Sequence, residues 1–227
     1  GSAVVSPTVA SSYSITGSNA SGCIALAIVS VGMYSLPVIS VPSGSICQGG
    51  SYTLSPSGAI SYTYSSGSAV VSPLTSQTYS IIGTNVFGCL SPISATANVV
   101  VNLTPTISVN SGSVCAGTSF TMNPSGASTY SYSSGTNVVN PSSNSTYSVL
   151  GTSVAGCVST LAAVSTVTVV SLPIISASGG SICPGQSFTL SPSGASSYSY
   201  SSGSAVVSPT VASSYSITGS NASGCIA

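Results

Sequence analysis

Residues 115–132 read CAGTSFTMNPSGASTYSY, and the reading of this stretch decides the fold. Phe120 and Met122 alternate with Ser119 and Thr121, Pro124-Ser-Gly126 interrupts the run, and Tyr130 and Tyr132 then alternate with serines. An apolar period of two with small polar partners belongs to a strand that buries one face and wets the other. Pro fixes φ and Gly reaches positive φ at no steric cost, so Pro-Ser-Gly reads as a turn. The pattern continues outward. TISV (106–109) reads as a short opening strand ended by a turn at Asn110-Ser-Gly112. STYSVLGTS (145–153) places Tyr147 and Val149 inward, and VSTVTVV (164–170) closes the run beyond a hairpin tip at Val154-Ala-Gly156. No stretch sustains a 3.6-residue apolar period, so no helix is expected.

The pattern recurs along the chain. Pro37, Pro105 and Pro173 open similar phrases at intervals of 68 residues, and Tyr52/Leu54 and Phe188/Leu190 stand where Phe120/Met122 stand. Tyr62/Tyr64 and Tyr198/Tyr200 likewise match Tyr130/Tyr132. Residues 1–25 return unchanged as residues 203–227, which makes a superperiod of 202 residues, and joining 173–202 to 1–36 completes a third unit of 66. Self-similarity at a fixed period signals a tandem array. The expected organisation is a partial repeat at 1–36, whole repeats at 37–104 and 105–172, and a partial repeat at 173–227. Six or seven short strands in 68 residues fit an all-β array of small immunoglobulin-like β-sandwich repeats of about 66–68 residues. Units of this size have thin cores and gain most from crosslinks.

The seven cysteines follow the same period. Each unit has one Cys before a Gly (Cys47, Cys115, Cys183) and one after a Gly 42 residues later (Cys89, Cys157, Cys225). Regular pairs in a small β unit read as disulfides formed in an oxidising compartment. Pairing within the unit (Cys47–Cys89, Cys115–Cys157, Cys183–Cys225) is the simplest expectation. The alternative joins the first Cys of one unit to the second Cys of the next, as in Cys47–Cys157. In an immunoglobulin-like sandwich the two positions of one unit lie at opposite ends, an objection to pairing within it that a different start of strand B would remove, so pairing within the unit stays the expectation. Cys23 finds its partner outside residues 1–227 on either scheme.

The repeated phrase ICxGxSxTLxPSGAxxYxYSSG…VVSPTxxxxYSITGTNxxGC resembles the tandem immunoglobulin-like or PKD-like repeats of giant secreted surface proteins of Bacteroidota. Those proteins resemble adhesins and gliding-associated filaments exported by type IX secretion. The family often has Trp after the PSGA turn, where Tyr64, Tyr132 and Tyr200 stand here. The resemblance implies a secreted, extracellular or cell-surface structural protein and supplies no catalytic residues.

Composition points the same way. The 227 residues include no Asp, Glu, Lys, Arg or His. General acid–base catalysis, activation of a serine nucleophile, phosphate binding and His-containing metal sites all need these side chains. An enzyme is therefore not expected, nor is a cofactor, a metal or a nucleic-acid partner. No apolar run is long enough for a membrane span. The expected function is a structural repeat segment of a long extracellular filament or adhesin stalk, whose partners are neighbouring repeats or other copies in a fibre. The alternative is a glycan-, surface- or ice-binding module using the Tyr/Ser/Thr strand faces. Asn19, Asn102, Asn144 and Asn221 each open an Asn-x-Ser/Thr sequon.

Stability changes with pH only where folded and unfolded states bind different numbers of protons. No side chain of this composition changes charge between about pH 5 and pH 7 in the unfolded chain. The urea midpoint of the folded chain is thus expected to stay flat across that range. A shift of more than a few tenths of a molar in urea denaturation followed by circular dichroism would contradict this.

Overall fold

The computed structural model describes residues 1–227 and contains strands and turns without helix. The chain divides into two compact units, Gly1–Leu103 and Thr104–Ala227. The first unit opens with a hairpin of β1 (Ser11–Ser18) and β2 (Ile24–Val31), which forms a two-stranded sheet by itself. Six strands follow: β3 (Gly44–Cys47), β4 (Tyr52–Thr53), β5 (Ser61–Tyr64), β6 (Val70–Val71), β7 (Gln77–Thr84) and β8 (Ala95–Asn102). They make a four-stranded sheet in the order β3-β8-β7-β5 and a two-stranded sheet β4-β6. Strands β5, β7 and β8 take the C, F and G places of an immunoglobulin sandwich, and β4 and β6 take B and E.

The second unit repeats the plan. It contains β9 (Gly112–Cys115), β10 (Phe120–Thr121), β11 (Thr129–Tyr132), β12 (Val138–Val139), β13 (Ser145–Thr152) and β14 (Ala163–Val170). Its sheets are β11-β13-β14-β9 and β10-β12. Beyond Pro173 the plan is incomplete. Strands β15 (Phe188–Thr189), β16 (Ser197–Tyr200), β17 (Val206–Val207) and β18 (Ile217–Ser220) form only the pairs β15-β17 and β16-β18.

Alternation sets the cores. Leu54, Val71, Tyr79, Ile81, Ala97 and Val99 are buried together in one repeat, and Met122, Val139 and Val149 in the next. The tyrosines after the PSGA turn, Tyr62 and Tyr130, pack half-buried against these clusters. Each satisfies its hydroxyl locally. The Ala127 N–H donates to Tyr130 Oη (3.0 Å), and the Tyr130 O–H donates to the Ala127 carbonyl (2.9 Å). Tyr62 and Tyr198 make the same pair of bonds with Ala59 and Ala195.

One expected element is corrected. TISV forms no strand: Ser108 makes a single antiparallel bridge to Ser125, while Gly112–Cys115, part of it read as a turn, is β9. The physical reason is non-local. Strand β9 exists because it pairs in parallel with β14, Gly112 opposite Val167 and Cys115 opposite Val170. Ser111 Oγ secures the approach by accepting from the Thr166 N–H (2.9 Å). Alternation within a four-residue segment carries no sign of a partner 55 residues away.

The Pro-Ser-Gly turn depends on its glycine. Gly126 has φ of 103°, and a Cβ there would collide with the Thr106 carbonyl oxygen. Gly126→Ala is expected to destabilise its repeat by about 1–3 kcal/mol, the range for side chains forced into such conformations. Chemical denaturation of this variant should show that loss, whereas Gly135→Ala, at φ of 81° with open space around it, should cost less.

Candidate functional site

The geometry of the four-stranded sheet decides the cysteine pairing. Cys115 ends β9, level with Val170 at the end of β14. Cys157 lies in the loop between β13 and β14, before β14 begins at Ala163. The length of β14, eight residues at ~3.3 Å each, therefore separates the two cysteines of one repeat. That distance far exceeds the ~7 Å that Cα atoms of a disulfide can span.

The bond that forms is Cys115–Cys225, with Cα atoms 5.5 Å apart and a sequence separation of 110. It joins β9 of one repeat to the F–G loop of the following one. The expected pairs Cys115–Cys157 and Cys183–Cys225 are thereby replaced, and Cys47–Cys89 is excluded because Cys89 is a free thiol. Cys47 and Cys157 are also disulfide-bonded. They stand at the same interval as Cys115 and Cys225. Cys23 and Cys183 are exposed free thiols and Cys89 is a half-buried one. No cysteine within residues 1–227 stands one such interval before Cys23 or Cys89, or after Cys183.

The junction around Cys225 is held by neutral groups. Asn221 Oδ1 accepts from the N–H groups of Ser223 and Cys225, both at 3.0 Å, which shapes the loop tip. Asn221 Nδ2 donates to the carbonyl of Ser171 at 2.9 Å, on the segment leading out of β14. Asn85 repeats this arrangement, accepting from Phe87 and Cys89 and donating to Ser35. In the repeat between them, Ser153 Oγ accepts from the Cys157 N–H in place of an Asn. Here two neighbouring connections cross from one repeat to the next. One is the peptide chain running from β14 through Ser171 to Pro173, and the other is the disulfide from Cys115, which lies beside Val170.

The Asn role was not read from the sequence beyond its place in the repeated phrase. The signal was present in Asn19, Asn85 and Asn221, each four residues before a Cys and three before its Gly. For Asn221 these bonds occupy both ends of the amide that an N-linked sugar would need. Asn144 Oδ1 accepts from the Val169 N–H at 2.8 Å. The tyrosines considered as a binding platform are part of the core packing, with the hydroxyls of Tyr62, Tyr130 and Tyr198 turned to their own turns.

No family model and no curated protein matches the sequence. Among solved structures, the chain is similar to a Ca2+-stabilised adhesin that helps an Antarctic bacterium reach out and bind ice, at 14% identity and a TM-score of 0.37. The match covers 75% of this chain and 60% of the adhesin, so the chain spans less than two thirds of the adhesin's length. It is also similar to cadherin domains 1–4 of protocadherin gamma B7 (9% identity, TM-score 0.27, 97% of this chain and 82% of that one). Immunoglobulin domains 1–4 of Sidekick-1 match at 13% identity and a TM-score of 0.27, over 96% of this chain and 80% of that one.

Cys115→Ser and Cys225→Ser remove one bond by two routes. Each is expected to lower stability by about 2–5 kcal/mol, and the double variant should lose no more than either single one. Cys183→Ser, at an exposed free thiol, should change stability by less than ~0.5 kcal/mol. Urea denaturation of the four proteins tests this, and additive losses would show that the cysteines are not partners.

Proposed function

We propose that this chain is a structural segment of an extracellular stalk or filament, in which tandem sandwiches are joined by disulfides between successive repeats. The observation that carries the reading is Cys115–Cys225, a covalent bond from one repeat to the next beside the peptide connection. A disulfide within a repeat would strengthen that repeat alone. A disulfide between repeats resists twisting and separation of the pair, which is what a load-bearing or projecting array requires.

The composition supports the same role. A charge-free surface gives salt and pH little to act on, and structural disulfides persist in oxidising compartments outside the cytosol. Repeat boundaries at Pro37, Pro105 and Pro173 place each junction where the chain leaves a last strand. Secretion, the link to Bacteroidota surface proteins and the type IX route belong to this proposal through the sequence resemblance alone. A non-enzymatic role follows from the missing acid–base side chains. The glycan- or ice-binding alternative would require tyrosine or threonine faces free of core and turn duties.

Non-reducing digestion with chymotrypsin followed by mass spectrometry is expected to recover Cys47 linked to Cys157 and Cys115 linked to Cys225. Recovery of Cys47–Cys89 or Cys115–Cys157 from natively produced protein would overturn the ladder. Electron microscopy of the native protein should then show fibres beaded at the spacing of one repeat.

A further inference from the structure

A chain under tension is pulled where it enters a repeat and where it leaves, and in the repeat 105–172 both places can be followed bond by bond. The chain enters through Asn110 and Ser111 into β9 and leaves from the end of β14 through Ser171. Strands β9 and β14 pair in parallel, from Gly112 opposite Val167 to Cys115 opposite Val170. The pull on the start of β9 and the pull on the end of β14 are therefore opposed along the strand axes. The evenly spaced bonds of a parallel ladder then take that load together, in shear. A pull that splays the strands from one end would break them in turn.

Neutral groups extend this pairing at both ends. At the entry, Ser111 Oγ accepts from the Thr166 N–H (2.9 Å), and the Ser165 O–H donates to the Asn110 carbonyl (2.7 Å). The Asn110 side chain adds two bonds towards β10, donating to the Thr121 carbonyl (3.1 Å) and accepting from the Asn123 N–H (2.6 Å). At the exit, the Ala116 N–H donates to the Val170 carbonyl (2.8 Å). The repeat 37–104 has the same frame: Ser43 Oγ accepts from the Asn98 N–H, and the Gln48 N–H donates to the Asn102 carbonyl.

The disulfide offers a second route from the same strand. A pull arriving along β9 reaches Cys115 and can pass directly to Cys225, leaving out residues 116–224. At ~3.3–3.6 Å per residue, the sequence separation of 110 corresponds to about 360–400 Å of chain that the bond keeps from extending. Both routes leave the repeat side by side, because Cys115 lies opposite Val170.

We propose that the repeat carries tension by two parallel routes: a shear clamp of β9 on β14, secured by Asn110 and Ser111, and a covalent bypass through Cys115–Cys225. The clamp keeps the sandwich folded under load, and the bypass limits extension if the clamp gives way. This inference rests on the stalk reading for its setting and adds which groups bear the load.

Single-molecule pulling on the 227-residue chain tests both routes, with handles attached through azide-bearing residues at exposed positions. Pulled between Leu103 and Ala227, the chain with its native cysteines should extend about 350–400 Å less than Cys115→Ser. The clamp is then read in Cys115→Ser alone. Handles at Leu103 and Leu172 shear β9 against β14, whereas handles at Thr118 and Leu172 peel the strands from one end. Forced unfolding reports the unfolding barrier, and shearing should need at least about twice the force of peeling. Combining Asn110→Ala with Ser111→Ala should lower the shearing force, while the same pair in the native-cysteine chain should leave the extension limit unchanged. Equal forces in the two geometries, or a shearing force indifferent to Asn110 and Ser111, would overturn the proposal. With the extension limit intact, either result would leave the stalk reading standing. Equal extension with and without Cys115 would mean that the bond does not form, and would remove both.

Discussion

The last strand of each repeat carries the rest of the sandwich. Strand β14 pairs antiparallel with β13 on one edge and parallel with β9 on the other, and β8 does the same with β7 and β3. Because the second pairing is parallel, the short strand that carries the first cysteine must end where the last strand ends. The F–G loop, which carries the second cysteine, lies where the last strand begins. The two cysteines of one repeat are thus held apart by the strand between them, and Cys115 bonds instead to Cys225 of the following repeat. In the repeat that begins at Pro173, residues 180–183 and 213–216, the counterparts of β9 and of the first half of β13, are not strands.

Neutral groups do the work that ion pairs share in other proteins. Ser65, Ser133 and Ser201 each accept from a backbone N–H across the sheet, on Ser80, Ser148 and Ser216. Ser91 and Ser159 are buried and accept from Gly83 and Gly151. No buried side-chain nitrogen or oxygen lacks a hydrogen-bond partner. A net contribution near 1 kcal/mol per such bond is modest, but leaving any of these groups buried and unpaired would cost more. A short hydroxyl also loses less rotamer entropy on ordering than Lys, Arg or Glu. A Ser-rich chain can therefore close many strand ends at small cost, without dependence on salt.

What the sequence disclosed and what it hid divide along one physical line. Features set by near neighbours were legible: the alternation through Phe120 and Met122, the Pro-Ser-Gly turn, the Tyr130 strand and the hairpin around Val154-Ala-Gly156. The all-β class followed from them. Features set by distant pairing were not. Strand β9 looked like a turn because its partner is 55 residues on, and the cysteine pairing depended on the direction of that strand. The strand-length objection to pairing within a repeat was available from the sequence, but the expectation stayed with pairing within the unit, and Cys115–Cys225 corrects it. Asn221 was visible only as a sequon, and its part in the junction depends on the path of the chain past Ser171.

The energetic balance of a repeat array makes the junction as consequential as the fold. In such arrays stability is close to a sum of intrinsic repeat terms and nearest-neighbour terms. A repeat of about 68 residues at the usual ~0.05–0.15 kcal/mol per residue contributes on the order of 3–10 kcal/mol. A disulfide closing a loop of the size made by Cys115–Cys225 adds a coupling of about 2–5 kcal/mol. The two terms are of similar size, so an interior repeat draws much of its persistence from its neighbours.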